Sequence, residues 1–263
     1  MMRGRVSVRQ LCAATICATM AFAVPASAAE PCTLRLGWSV FEPFQMPGTG
    51  DEPTGLDMEI FQTVMQRAGC KVREYRKAPW SRMLAEVEKG RVDAILSASY
   101  TQARSNFGHY SKPYRTVSYA AVYHDAGAKR GSQSMADIIA GNPMIGRFRG
   151  GYLPPFIKQA IAPAEAAGRV YQGASYEKMI ELLEKGRLDL MLAEINDPHA
   201  TFKQVDGNPA FRVVEIEGST DKLHLLYSRK TVTPAIVSRL DAEISGFVGS
   251  PEYRALFEKY LKR

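Results

Sequence analysis

One pattern occurs twice in this chain. Within Arg82–Leu96, the residues Met83, Glu88, Lys89, Gly90, Arg91, Asp93 and Leu96 recur as Met179, Glu184, Lys185, Gly186, Arg187, Asp189 and Leu192 within Lys178–Leu192. Each copy has apolar residues at helical spacing, a glycine where the helix must stop, and a short apolar run with almost no polar alternation. Such a run suits a strand covered on both faces, as in a parallel sheet flanked by helices. The helix–Gly–strand grammar is common, so chance similarity is the alternative. One unit in each half of the chain nonetheless points to two similar α/β lobes.

The first copy sits in a longer alternation. Thr33–Trp38 alternates as a strand, and Ser39–Pro53, rich in Pro and Gly, reads as a loop. Leu56, Ile60, Phe61, Val64, Met65 and Ala68 predict a helix over Leu56–Ala68. Cys70–Tyr75 predicts a strand, Trp80–Glu88 a helix opened by Pro79 and stopped by Gly90, and Val92–Ser97 a buried strand. Together they predict a mainly parallel sheet. In open α/β sheets ligands sit beyond the carboxyl ends of the strands. There the first copy offers Ser97, Ser99 and Arg104, and the second offers Glu194, with Asp197 its substitute if the register slips. Hydroxyls and a guanidinium would thus face a carboxylate, a receptor complementary to a zwitterion.

Residues 1–28 read as a secretory signal peptide: Arg3, Arg5 and Arg9 without an acid, an apolar Leu11–Val24, then small residues through Ala29. Neither Cys12 nor Cys17 follows the residues of a lipoprotein signal, and no run of about 18–20 apolar residues occurs beyond residue 30. The expected product is soluble outside the cytoplasm and about 235 residues long, enough for one large domain or two lobes. The net charge of +7 over the full sequence owes three bases to that segment, and the remaining bases are scattered among 27 acids, which disfavours a nucleic-acid surface. Cys32 and Cys70 remain, and in an oxidising compartment they form one disulfide, free buried thiols being the alternative. Two cysteines and four dispersed histidines make no zinc signature. A phosphate-binding Gly-rich loop and a nucleophile elbow are also missing, so neither metal nor cofactor is expected.

Further fragments add a family likeness. Gly37, Phe41-Glu42-Pro43-Phe44, Gly55-Leu56-Asp57-Met58-Glu59-Ile60, Gly90-Arg91-Val92-Asp93, Thr101-Gln102-Ala103-Arg104, Tyr110-Ser111-Lys112-Pro113-Tyr114 and Gly186-Arg187-Leu188-Asp189 follow one another in a recognisable order. Over residues 33–263 the sequence resembles the periplasmic amino-acid-type solute-binding proteins (family 3) of bacterial ABC importers. The resemblance implies a two-lobed periplasmic-binding-protein-like α/β fold (type II) with two crossing hinge segments, near Val117–Tyr123 and Leu223–Ser228. Lobe one would be 29–118 plus 228–263, with Pro234–Tyr260 helical and packed back on it; lobe two would be 119–227. It implies a monomer that closes on an amino acid or similar small carboxylate and presents it to the membrane subunits of an ABC permease, without catalysis. The same fold also carries cyclohexadienyl dehydratases and sensor modules, which stay open as alternatives.

The resemblance also assigns roles. Arg104 would grip the ligand carboxylate in a bidentate, charge-assisted pair. Ser97 and Ser99 would contact the ligand main chain, and Glu194, where relatives more often have Asp, would pair with its ammonium. Trp80 would cover the ligand side chain, with Phe41 and Trp38 closing the other side. At Gly150-Gly151-Tyr152 relatives usually have Gly-Ser-Thr or Gly-Thr-Ser at a helix start whose amides bind the carboxylate. Gly151 keeps the amide, while Tyr152 would intrude on the pocket or form a lid. Arg147 and Arg149 lie close by in sequence and could favour an acidic group.

Overall fold

The computed structural model describes Met1 and residues 32–125, 131–195 and 208–261. The signal-peptide reading and Asp197 therefore lie outside the described residues. The first half of the chain forms β1 (Thr33–Trp38), α1 (Leu56–Arg67), β2 (Lys71–Lys77), α2 (Trp80–Lys89), β3 (Ala94–Ser99), the single turn α3 (Gln102–Ser105), β4 (Gly108–Tyr110) and the long β5 (Arg115–His124). The second half forms β6 (Gly131–Gln133), α4 (Met135–Ile139), β7 (Ile145–Phe148), α5 (Pro155–Ala166), β8 (Val170–Gly173), α6 (Tyr176–Glu184), β9 (Leu190–Ile195), β10 (Phe211–Ile216) and β11 (Asp221–Ser228). Two helices, α7 (Pro234–Phe247) and α8 (Pro251–Leu261), end the described chain, and both pack on α1. Among the described residues no helix is long and apolar enough to cross a membrane.

The strands run in the order β2-β1-β3-β11-β5-β9-β7-β8. The two outer groups, β2-β1-β3 and β9-β7-β8, are parallel, as the sequence pattern predicts. The middle is not. β11 pairs antiparallel with both β3 and β5, and β5 pairs antiparallel with β9. β5 is long enough to serve two neighbours, pairing with β11 through Arg115–Val117 and with β9 through Ser118–Val122. β11 pairs with β5 through Asp221–Leu223 and with β3 through Leu223–Tyr227.

The sequence repeat has the same physical meaning in both copies. Gly90 and Gly186 take left-handed φ values of 74° and 63°, which stop α2 and α6 without the penalty a Cβ would carry. After each stop an aspartate ties the new strand to its neighbour. The Asp93 carboxylate accepts from the Arg35 amide at 2.7 Å and the Asp93 amide donates to the Arg35 carbonyl at 2.9 Å. Asp189 does the same with Met144, at 2.6 and 2.9 Å. These ties delay the strand, so β3 begins at Ala94 rather than at the expected Val92. Opposite each helix a glycine lets it approach. A Cβ on Gly37 would meet Met83, Val92 and Ile95, the first at 2.6 Å, and one on Gly146 would meet Met179, Leu188 and Met191. The two trios are the same positions of the repeat.

Cys32 and Cys70 form the expected disulfide. It joins the start of β1 to the turn between α1 and β2, where the Lys71 amide also donates to the Cys32 carbonyl. Closing a loop of 38 residues restricts the unfolded chain and contributes about 4 kcal/mol on the chain-entropy account.

Candidate functional site

The carboxyl ends of β1, β2, β3, β7, β8 and β9 surround a cavity of about 620 Å³. One wall comes from Ser39, Val40, Phe41, Glu42 and Gln45 after β1, from Lys77–Trp80, from Ser97 and Ser99, and from Arg104. The opposite wall comes from Phe148, Gly151 and Tyr152 after β7, from Ala174–Glu177 at the start of α6, and from Glu194 near the end of β9. Strand ends collect the site because there the backbone leaves the sheet and side chains converge across the gap.

Arg104 is fixed by its own short helix. The Thr101 hydroxyl caps α3 by accepting from the Arg104 amide at 3.1 Å. The guanidinium is buried, 8% exposed, and donates to the Ser99 carbonyl at 3.0 Å and to the Gly150 carbonyl at 3.3 Å. Its carbon lies 5.6 Å from the centre of the Trp80 ring, within cation–π range. Among the described residues it has no acidic partner within ion-pair distance. A guanidinium has five N–H donors, and carbonyls leave its charge uncompensated. A carboxylate entering the cavity would complete it.

Ser97 lines the cavity, but its side chain points to a different task. Its φ is +56°, a left-handed conformation unusual for serine. The pairing of β3 with β11 slips at this point, the mark of a bulge that re-aims the strand. The Ser97 hydroxyl donates to Asp57 and accepts from Gln45 at 3.0 Å, while its amide donates to the Tyr114 hydroxyl. Beneath it lies a fully buried ion pair, both side chains 0% exposed. Arg115 donates to the two Asp57 oxygens at 2.6 and 2.9 Å. Burial alone would lower the Arg115 pKa, but the Asp57 charge, Tyr114 and the hydrogen bonds to Asp57 together raise it. The Ser97 hydroxyl therefore anchors the bulge rather than standing free for a ligand, because both its donor and an acceptor site are engaged. Ser99 likewise lends Arg104 its carbonyl.

Glu194 is the contrasting group. Tyr119 sits opposite it across the β5–β9 ladder. Burial pushes the Glu194 carboxyl up to about 7, Arg115 and Arg104 pull it down, and the negative charges of Asp57 and Asp221 add to the rise. Burial and the Glu194 charge in turn raise the phenols of Tyr119 and Tyr176.

Aromatic rings fill much of the remaining wall. Phe41 stacks on Tyr176 with centroids 5.9 Å apart, and Tyr176 stacks on Phe148 at 5.2 Å. Trp80 and Tyr152 line the same space, whereas Trp38 does not. As the last residue of β1, with its ring buried, Trp38 belongs to the core. Three other expectations change. Helix α5 starts only at Pro155, after the N-cap Pro154, so neither its cap nor its first position has an N–H to offer an anion. The Gly151 amide is already bonded to the Phe148 carbonyl at 3.2 Å. Arg147 pairs with Glu165 and Arg149 donates to the Gln172 carbonyl, and neither lines the cavity. Sequence reasoning missed Phe148, Tyr176, Gln45 and the Asp57–Arg115 pair. Asp57 was within reach, since an aspartate on the apolar face of α1, next to Leu56 and Ile60, needs a buried partner.

A family profile, that of the bacterial extracellular solute-binding proteins, family 3, matches residues 34–263. No curated protein sequence matches. Among solved structures, an ancestral arginine-binding protein bound to arginine superposes with a TM-score of 0.72 at 18% identity, covering 87% of this chain and 98% of that one. The substrate-binding protein of an amino acid ABC transporter gives 0.67 at 18%, covering 88% and 100%. An ancestral amino acid-binding protein, described as a precursor of cyclohexadienyl dehydratase, gives 0.68 at 18%, covering 88% and 95%. At such identities the likeness establishes the two-lobed fold of type II, which the strand order repeats here. With its profile match running almost from β1 to the last residue, the chain belongs to the bacterial extracellular solute-binding proteins, family 3.

Proposed function

We propose that this protein is an extracytoplasmic receptor that captures an amino acid or similar small carboxylate between its lobes and delivers it to an ABC permease. The observation that carries the reading is Arg104: a buried guanidinium aimed at a cavity, held by carbonyls from both walls, with no acid among the described residues to neutralise it. The ligand carboxylate pairs with Arg104, its ammonium with Glu194, and its side chain lies among Trp80, Phe41 and Tyr152. Gly151 shapes the wall, and the Ser99 main chain flanks the carboxylate. Lobe one would comprise 29–118 plus the C-terminal stretch and lobe two the segment between, with β5 and β11 as the crossing strands. Closure is stabilised because a bound ligand touches both walls at once. A monomer secreted to the periplasm by residues 1–28 suits that task.

A thermal-shift screen against amino acids and small carboxylates tests the reading. A ligand at about a hundred times its dissociation constant stabilises by about 2.7 kcal/mol. Arg104→Ala should abolish the shift and leave the melting of the free protein nearly unchanged; a retained shift counts against the site.

One observation favours a second reading. A carboxyl pushed up to about 7 is matched to proton transfer at neutral pH, and a cleft enzyme of the dehydratase kind would use Glu194 as its general acid. Turnover of prephenate or arogenate would replace the receptor reading; saturable binding without product supports it.

A further inference from the structure

The inference deepens the receptor reading and rests on it. Glu194 lines the cavity, yet among the described residues its carboxylate has no ion pair and no hydrogen bond to another side chain. Asp221 lies close by. Cross-strand partners share a face of the sheet. Asp221 is opposite Val117, and Glu194 is opposite Tyr119, two residues further along β5. Asp221, Tyr119 and Glu194 therefore share one face where the two parallel groups of strands meet. Asp221 is not part of the cavity wall, and its Oδ2 is buried without a hydrogen-bond partner.

The charged and titratable groups facing Glu194 are Arg104 from α3, Arg115 and Tyr119 from β5, Asp57 from α1, Asp221 from β11 and Tyr176 from α6. Arg115 is already neutralised by its bidentate pair with Asp57. Arg104 is turned toward the Ser99 and Gly150 carbonyls. Burial beside a second, unpaired carboxylate disfavours the charged form of Glu194, consistent with its pKa of about 7. Among the described residues no histidine lines the cavity.

We infer that Glu194 holds a proton in the free protein and releases it to solvent when the ammonium of a zwitterionic ligand enters, so that capture expels a proton and acid expels the ligand. Proton and ammonium compete for one carboxylate. Burial holds the proton on Glu194, and Asp221, which touches no ligand, acts as a positioning residue whose charge adds to that hold.

Calorimetric titration of the protein with the standard L-amino acids and, separately, with their 2-hydroxy acid analogues, at pH 6 in phosphate and in bis-Tris and at pH 8 in phosphate and in Tris, reads both affinity and proton release. Linkage with a free-state value near 7 gives binding about tenfold weaker at pH 6 than at pH 8, with about 0.9 proton released per ligand at pH 6. Glu194→Gln should weaken binding at pH 8 and remove the proton release. Asp221→Asn should leave affinity at pH 8 nearly unchanged and move the fall in affinity to lower pH; a purely structural role would lower affinity at both. Equal affinity at the two pH values, proton uptake, or an unmoved pH profile in Asp221→Asn overturns the inference while the receptor stands. If 2-hydroxy acids bind and amino acids do not, the inference falls and a carboxylate receptor remains. If neither class binds at either pH, the receptor reading falls with it.

Discussion

Arg115 and Asp57 offer the sharpest test of how the site is supported. Replacing Arg115 by Met keeps most of its length and removes its charge, leaving Asp57 ionised, 0% exposed and stripped of two hydrogen bonds. Breaking a buried pair this way costs about 3–5 kcal/mol, because the remaining charge is uncompensated. Some of that is recovered locally, since Asp57 is the second residue of α1 and a helix N-terminus favours a negative charge by about 0.3–1 kcal/mol. The expected loss is therefore about 3–4 kcal/mol. The double variant Asp57→Asn/Arg115→Met removes both charges, and it should be more stable than the sum of the two single losses by about 2 kcal/mol or more. Urea unfolding followed by circular dichroism measures all four proteins, the slope being checked for constancy. A single-variant loss under about 1 kcal/mol, or strict additivity in the double, would refute the claim that the pair is a desolvated unit.

Two further predictions concern the same framework. The folded pKa of Glu194 lies above its unfolded value, so the unfolded chain loses this proton first as pH rises. Its contribution to stability therefore falls as pH rises from the ordinary glutamate range to about 7 and stays low above that. Glu194→Gln should raise the stability of the free protein at pH 8 by at most about 3 kcal/mol, with little gain at pH 4; a melting temperature lowered at pH 8 contradicts this. Gly37→Ala places a methyl group 2.6 Å from the Met83 sulfur and should destabilise by about 1–3 kcal/mol through overpacking. An unchanged urea midpoint would show that Met83 moves aside freely.

The fold was largely legible because it rests on local devices. Helical spacing, the left-handed glycines and the buried apolar strands each act within about fifteen residues, so periodicity located α1, α2 and β1 almost to the residue. The antiparallel middle was not legible. Its strands β5 and β11 meet across a sequence gap of about a hundred residues, and nothing in either segment announces its partner. In the candidate site, Arg104, Trp80, Phe41, Tyr152, Gly151, Ser97, Ser99 and Glu194 gather on one cavity. Trp38 was misplaced because an aromatic residue at a strand end suits a wall and a core equally well. Phe148 and Tyr176 escaped notice since Tyr176 stacks on Phe41 and Phe148 on Tyr176, contacts between separate parts of the chain.

The repeat also explains why its two copies can make one asymmetric site. Three of the shared pairs serve scaffolding: Gly90 and Gly186 stop helices, Asp93 and Asp189 tie strands, and Met83 and Met179 pack on Gly37 and Gly146. Identity ends at Leu96 and Leu192, one residue before the chain reaches the cavity in the first copy and two before it in the second. Beyond that point one copy supplies the strained Ser97, Ser99 and Arg104, whereas the other supplies Ala193 and Glu194. Two like supports hold the strand ends at matched depth, and the divergent tips give the cavity opposite charges on its two walls. A symmetric pair of tips would place like charges across the gap, which repel and favour opening. A guanidinium on one side and a carboxyl on the other instead leave two unlike groups, which under the proposed function a zwitterion would bridge with the walls brought together. On that proposal, charge complementarity and closure would both follow from a single divergence at the strand ends.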